Sequence, residues 1–138
     1  MKPQPFLILF LLSGSVFAQT FSGDTWAQVK EKKAGSISIS YVETPSFVYK
    51  DKAGTLTGIS VDIMHDFVEW VNATKGVKLT SKFVGDGSSF RTMYDKTKAG
   101  TGGVFGLGNV TITEERKREV KFSPPIITNF AILITQSN

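Results

Sequence analysis

Residues 108–125 combine an arginine, hydroxyl side chains and a helix start in one short stretch, GNVTITEERKREVKFSPP. Val110 and Ile112 alternate with Thr111, which predicts the end of a strand. Thr113 is a residue type that caps helices, and two glutamates follow it, where negative charge suits the helix dipole. Ser-Pro-Pro ends the element because proline cannot continue a helix. The stretch therefore predicts a strand, a tight turn and a short helix.

The chemistry predicted for this stretch is the binding of an anion, most naturally a carboxylate. A turn that leads into a helix leaves backbone N–H groups without partners, and such groups attract negative charge. Arg116 adds a guanidinium, and its two parallel N–H donors match the two oxygens of a carboxylate. The alternative is a charged surface helix whose arginine is solvated, and the residues alone leave it open.

Strands and helices alternate through the rest of the chain. The predicted strands are residues 36–42, 77–84, 100–108 and 131–135. Residues 36–42 alternate Ser with Ile, which predicts a half-buried strand or one at a sheet edge. Residues 47–59 predict a small hairpin around a turn at residues 51–54. Strands that alternate with helices at this spacing predict an α/β fold, with a mostly parallel sheet flanked by helices.

Three longer helices should flank the sheet. They are expected within residues 20–33, 60–72 and 90–99. The candidate caps are Ser22 or Asp24, then Ser60, then Ser88 or Ser89. These types suit a cap because a side-chain oxygen can accept a hydrogen bond from the first turn. The residues expected to face the core are Trp26, Val29, Val61, Met64, Phe67, Val68, Val71, Phe90, Met93 and Tyr94.

Ligands of parallel sheets sit at the carboxyl ends of the strands, beside helix N-termini. The loops expected to meet at that edge are residues 43–46, 85–89 and 108–113. The glycine-rich run at residues 100–108 has neither of the spacings that bind nucleotide phosphates. No cofactor is therefore expected.

Two stretches make the sequence resemble a known family. TITEERKREVKFSPP resembles the segment T-x-T-x-E-R-x-x-x-V-x-F-S-x-P of the bacterial extracellular solute-binding proteins of family 3, which serve polar amino-acid ABC transporters. Residues 41–63, YVETPSFVYKDKAGTLTGISVDI, resemble that family's opening strand, turn and hairpin. The resemblance covers residues 36–135 and implies a periplasmic-binding-protein-like (type II) fold. It also implies that residues 19–138 are a portion of the first of two lobes, with the second lobe missing.

The resemblance also implies which residues bind a ligand. In relatives that bind amino acids, the motif arginine holds the α-carboxylate, helped by groups just before it. By position these are Arg116, Thr111 and Asn109. The turn after the first strand usually supplies a side-chain wall or an ammonium partner, and here it contains Glu43 and Thr44. The implied function is binding of a small carboxylate, such as an amino acid, for the membrane permease of an ABC transporter.

Two of the departures from the family pattern concern residues near the expected ligand site. The aromatic residue that often follows the first strand is absent, so Phe90 or Phe47 would have to stack on a ligand. The acidic residue expected after the third helix is replaced by the glycine-rich run. One lobe alone should also bind its ligand weakly, because one wall cannot desolvate a charged ligand on both sides.

The N-terminus predicts a secretory signal peptide over residues 1–18. Lys2 supplies the positive charge, residues 6–12 (FLILFLL) form a short apolar core, and cleavage is expected near Ala18–Gln19. The apolar run is shorter than the roughly 20 residues that span a bilayer, so no stable membrane insertion is expected after cleavage. These features predict a periplasmic protein.

Composition argues against several other functions. The formal net charge is +4, but acidic residues lie among the basic ones, so nucleic-acid binding is not expected. His65 is the only histidine and cysteine is absent, so neither a metal site nor catalysis is predicted.

Two alternatives remain open. One is a ligand-sensing or enzymatic domain on the same fold, such as a dehydratase or the binding module of a murein transglycosylase or receptor. The other is a protein-binding domain with Arg116 and Arg118 exposed.

Overall fold

The structure, a computed structural model, describes residues 20–128. The predicted signal peptide and the predicted strand at residues 131–135 lie outside the described residues. The elements in chain order are α1 (Trp26–Lys32), β1 (Ala34–Val42), β2 (Tyr49–Lys50), β3 (Leu56–Thr57), α2 (Ile59–Lys75), β4 (Lys78–Gly87), α3 (Phe90–Ala99), β5 (Val104–Leu107) and α4 (Glu114–Lys117). β2 and β3 form the predicted antiparallel hairpin.

Three parallel strands form the main sheet, in the order β4-β1-β5. From β1 the chain crosses to β4, its neighbour on one side. From β4 it then crosses over β1 to β5, the neighbour of β1 on the other side. Right-handed crossovers then place α2 and α3 on opposite faces of the sheet. The predicted parallel sheet is confirmed. The edge position considered for residues 36–42 is wrong, because β1 has a partner strand on each side.

The alternation of side chains along β1 gives the two faces of the sheet different characters. Ile37 and Ile39, which are 5% and 0% exposed, pack toward α2 in the main core. Full burial of such a side chain contributes roughly 1.5–3 kcal/mol. On the other face, Ser40 of β1 lies opposite Gly106 of β5. A Cβ at Gly106 would lie 2.9 Å from the Met93 sulfur, so α3 approaches the sheet closely over these small residues.

α1 begins after a different cap from either residue predicted. The Thr25 hydroxyl accepts a hydrogen bond from the Gln28 amide at 3.3 Å, and the Gln28 side-chain oxygen accepts one from the Thr25 amide at 2.8 Å. This reciprocal pair is a capping box. The Asp24 carboxylate instead accepts from the Ser36 amide at 2.8 Å, which joins the start of β1 to the chain before α1. Trp26 is 46% exposed, so the prediction that it faces the core is wrong.

α2 follows Gly58, so the predicted cap at Ser60 is wrong. Gly58 has a φ of 118°, and a Cβ there would lie 2.5 Å from the Phe47 carbonyl oxygen, so the position requires glycine. Ser60 lies within the first turn and is 4% exposed. Phe67 is 37% exposed, against the prediction that it faces the core. The predicted core residues of α2 that are buried are Val61, Met64 and Val71.

The strand before the arginine motif ends earlier than the sequence pattern predicts. β5 ends at Leu107, and residues 110–112 belong to a loop. The pairing stops because β1, its partner, ends at Val42. The next residue, Gly108, passes so close to β1 that an added Cβ would lie 2.5 Å from Val42 Cγ1. The short helix predicted after the loop is confirmed as α4.

Candidate functional site

The three loops expected to meet do follow strands that end at the same edge of the sheet. Val42 of β1 is paired with Gly87 of β4, and Tyr41 is paired with Leu107 of β5. The Glu43 amide donates a hydrogen bond to the Gly87 carbonyl at 2.9 Å. β1 leads to α2 on one face of the sheet, whereas β5 leads to α4, which contacts α3 on the other face. Connections that leave on opposite faces open a crevice between the two strand ends.

Arg116 lies beside this edge, on α4. The predicted cap is confirmed, since the Thr113 hydroxyl accepts a hydrogen bond from the Arg116 amide at 3.2 Å. The Arg116 side chain turns back over α3, where its Cζ lies 4.9 Å from the centre of the Phe90 ring and 5.7 Å from that of Tyr94. Its Nη1 donates to the Thr111 carbonyl at 2.9 Å. The side chain is therefore half-buried and held in place, and it is not freely solvated.

The loop keeps hydrogen-bond donors available for a ligand. Among residues 20–128, the Thr111 carbonyl is the only hydrogen-bond acceptor for the Arg116 guanidinium. The amides of Thr111, Ile112 and Thr113 have no partner within the same described range. A carboxylate above this loop would meet a planar cation and backbone N–H groups together, which is a strong arrangement for an anion.

Asn109 and Thr111, the two residues predicted to assist Arg116, lie on the same loop. Both are exposed, and neither side chain has a hydrogen-bond partner in the part of the chain that the structure describes. The structure thus brings these three residues together at the end of β5. Their role in ligand binding stays a prediction.

Glu43 and Thr44 lie at the end of the neighbouring strand, β1. They line an open groove of about 410 Å³ together with Pro45, Ser46 and Tyr49. Glu43 Oε1 is 3.1 Å from Lys50 Nζ on β2, and this hydrogen bond raises the pKa of Lys50. The Thr44 amide donates to the Val48 carbonyl at 2.7 Å, so the backbone there is fixed by the turn. The residues that line this groove do not include Asn109, Thr111 or Arg116, and Glu43 contacts Gly87 of β4, on the side of β1 away from β5.

A cluster that the sequence did not reveal connects α3 to the chain after α4. The Tyr94 hydroxyl donates to Glu119 Oε2 at 2.9 Å, and Lys98 Nζ donates to Glu119 Oε1 at 2.6 Å. The bond from Lys98, followed by that from Tyr94, lowers the pKa of Glu119. Partial burial, followed by the bond to Glu119, raises the pKa of Tyr94. The sequence could have indicated one part of this cluster, because Tyr94 and Lys98 are four residues apart and therefore share a helix face.

Residues 20–128 contain neither a cluster of metal ligands nor a helix that could span a membrane. No three His, Asp or Glu side chains in that range are grouped as a metal would require. None of the described helices has the length and apolar character needed to cross a bilayer. His65 is exposed on α2, with its ring centre 6.1 Å from that of Phe83.

Comparison with known proteins gives a family match over most of the chain. Residues 37–138 match the family model described as bacterial extracellular solute-binding proteins, family 3. The matched range contains all five residues predicted to bind a ligand. The comparison with curated proteins gives no match.

Solved structures match the fold over about three quarters of the chain. An ancestral cyclohexadienyl dehydratase is 24% identical, with a TM-score of 0.50, and the match covers 72% of this chain and 37% of that one. An ancestral cationic amino acid solute-binding protein is 24% identical, with a TM-score of 0.48 and coverages of 72% and 39%. A polar amino acid ABC uptake transporter substrate-binding protein from Streptococcus thermophilus is 19% identical, with a TM-score of 0.48 and coverages of 74% and 35%.

The similarity to the ancestral dehydratase shows the fold alone, which is part of a type II periplasmic-binding-protein-like arrangement. The chain spans between 35% and 39% of the length of these three solved structures.

Proposed function

The chain belongs to the bacterial extracellular solute-binding proteins of family 3, and on that premise we propose that it binds an amino acid at the carboxyl edge of its sheet. In this proposal Arg116 holds the ligand carboxylate, assisted by Thr111 and Asn109. Glu43 accepts the ligand ammonium group, and Thr44 lines the same side. The proposal is supported by the strand order, because the two groups of residues follow adjacent strands that end at the same edge of the sheet.

The proposal depends on two properties of the Arg116 guanidinium, its fixed position and its hydrogen-bond donors that have no partner in the described part of the chain. It is held over the aromatic rings of α3, yet most of its donors have no partner among residues 20–128. A half-buried cation is costly unless it is paired. A ligand carboxylate supplies that pairing and matches the planar donor geometry better than water does.

We also propose that the protein works in the periplasm and delivers its ligand to the membrane permease of an ABC transporter. The family's extracellular location and the signal-peptide pattern near Ala18–Gln19 support this part of the proposal. We propose binding without chemistry, because the family is described as solute-binding. The dehydratase among the matched structures shares the fold and supports no activity for this chain.

The test is a ligand screen followed by a matched pair of variants. Each common L-amino acid is added to the purified chain, and a true ligand raises the melting temperature because it binds only the folded state. Calorimetry with that ligand then compares Arg116→Ala with Arg118→Ala. We expect the first change to weaken binding by about 10- to 100-fold, because it removes a charged, two-point contact. The second should change the affinity less than about twofold, since that exposed side chain lies outside the proposed site.

Equal losses in both variants would contradict the proposal. So would a ligand whose affinity survives Arg116→Ala. A protein-binding patch is the alternative. It would be indicated if no L-amino acid stabilises the chain and if Arg116→Ala and Arg118→Ala both abolish binding of a protein partner.

A further inference from the structure

α4 is too short to hold Arg116 in place through its own packing. It has four residues, none of them buried, and its N-terminal cap is a single hydroxyl contact. A helix of this length has little stability in isolation. Its position must therefore depend on side chains that reach across to α3.

Tyr94 is the α3 residue that makes two such contacts. Its ring lies beneath the Arg116 guanidinium, 5.7 Å from Cζ, and its hydroxyl donates to Glu119, just beyond α4. Its ring is also nearly parallel to that of Phe90, with an interplanar angle of 18° and a centroid distance of 5.8 Å. Lys98, one turn further along α3, holds the second oxygen of Glu119. One side chain thus contacts both the Arg116 guanidinium and the chain just after α4.

We propose that Tyr94 is a positioning residue for Arg116, holding its guanidinium at the carboxyl edge of the sheet through its ring and fastening α4 through its hydroxyl. The consequence for ligand affinity rests on the proposed function, whereas the positioning itself does not. Tyr94 needs no contact with a ligand in this role. It acts by reducing the conformational freedom that Arg116 would lose on binding.

The direct test is the Nε–Hε resonance of Arg116 in NMR spectra of the full chain. The sequence contains three arginines, so Arg91 and Arg118 serve as internal references. Arg91 has a side chain that is 91% exposed. Aromatic rings shift protons above their faces upfield, so the Arg116 signal should lie upfield of both references. Tyr94→Leu should remove more than half of that shift, because the guanidinium then also leaves Phe90. Tyr94→Phe, which keeps the ring, should retain more than half.

A control removes an aromatic side chain from the other side of the sheet. Trp70→Leu on α2 should leave the Arg116 resonance unchanged. The proposal is overturned if the Arg116 signal coincides with the references in the unaltered chain, or if Tyr94→Leu keeps more than half of the shift. A general loss of folding in Tyr94→Leu would collapse all three arginine signals to one position. In that case Glu119→Ala decides, because it removes the acceptor of the Tyr94 hydroxyl. The proposal expects the upfield shift of Arg116 to shrink in this variant, and an unchanged shift would overturn it.

Ligand affinity separates this inference from the proposed function. With the amino acid found in the screen, Tyr94→Leu should bind roughly threefold to tenfold more weakly, and Tyr94→Phe less than threefold, consistent with a lost cation–π contact. If no amino acid binds the unaltered chain, but the NMR shifts respond as expected, the proposed function fails and the positioning role stands. If the NMR shifts do not respond to Tyr94→Leu, but an amino acid binds the unaltered chain and is lost in Arg116→Ala, the positioning role fails and the proposed function stands.

Discussion

Arg116 illustrates why a guanidinium suits this position better than an ammonium group would. Its Cζ lies over the rings of Phe90 and Tyr94, while most of its N–H donors have no partner among residues 20–128. A lysine carries a compact, strongly hydrated charge that cannot stack and donate in a fork at the same time. The contact with the rings contributes roughly 0.5–1 kcal/mol at an exposed site, and more where water is excluded.

Replacement of Glu43 tests the other end of the proposed ligand. Glu43→Gln removes the charge proposed to accept the ligand ammonium group, so the affinity for the amino acid found in the screen should fall about tenfold. The melting temperature should hardly change, because the pair with Lys50 is exposed and such pairs contribute little to stability. Calorimetry measures the first effect and thermal unfolding the second. Glu69→Gln, on the exposed surface of α2, is the control. Equal ligand affinities in the Glu43→Gln and Glu69→Gln variants would contradict the proposed role of Glu43.

Gly108 should prove intolerant of any side chain. A Cβ there would lie 2.5 Å from Val42 Cγ1, so Gly108→Ala must push the loop after β5 away from β1. Overpacking of this kind costs about 1–3 kcal/mol. Because the same loop carries Asn109 and Thr111, ligand affinity should fall as well. Urea unfolding with an unchanged midpoint would show that the loop adapts without strain.

At the scale of elements, α3 and α4 are held together by side chains rather than by a shared core. Only Met93 of α3 is buried, and it faces the sheet. The contacts toward α4 are those of Phe90 and Tyr94 with Arg116, and those of Tyr94 and Lys98 with Glu119. These contacts contain titrating groups, so the link between the two elements should depend on pH.

The ion pair of Glu119 should make stability fall in acid. Its bonds to Lys98 and Tyr94 hold the pKa of Glu119 below its usual value of 4.5. A lowered pKa in the folded state stabilises the protein above pH 4.5, and this contribution is lost as the pH falls through the lowered value. Urea unfolding at about pH 6 and about pH 3.5 should therefore show a larger loss for the unaltered chain than for Glu119→Gln. Glu69→Gln should behave as the unaltered chain does, and equal losses in all three proteins would exclude this contribution.

At the scale of the molecule, the face that carries α2 exposes apolar side chains beside the last strand of the sheet. A groove of about 470 Å³ lies between α1, α2 and β5, and its aromatic lining residues are Trp26, Phe67, Trp70 and Phe105. Trp70 is 53% exposed and Phe105 is 36% exposed. Among the described residues, β5 is paired on one side only. An apolar groove beside a strand that has one partner among the described residues favours association with other apolar surfaces.

This groove should bind the dye anilinonaphthalene sulfonate, whose fluorescence rises on apolar surfaces. Trp70→Ser should reduce that fluorescence with little loss of stability, because about half of the Trp70 side chain is already in water. Ile126→Ser is the matched control, since Ile126 is 56% exposed but does not line the groove. Equal fluorescence from Trp70→Ser and the unaltered chain would show that the dye binds elsewhere.

The comparison of sequence with structure shows which local patterns are reliable. The alternation of Ser and Ile predicted β1, and Thr113 was correctly expected to cap α4. Trp26 and Phe67 were wrongly placed in the core, because helical spacing identifies an apolar face without showing what covers it. The cap at Ser60 failed because the close contact of Gly58 with the Phe47 carbonyl fixes the start of α2.

The sequence by itself determined the order of elements, the parallel sheet, and the loop residues that follow each strand, because these depend on periodicity and turn chemistry close along the chain. It also indicated Arg116, Thr111 and Asn109 as candidate ligand-binding residues, which stays a prediction. Only the tertiary structure decided how Arg116 is held, because Tyr94 and Glu119 are 25 residues apart and meet through the packing of α3. Contacts over such distances depend on which faces the sheet brings together, and no local pattern encodes them.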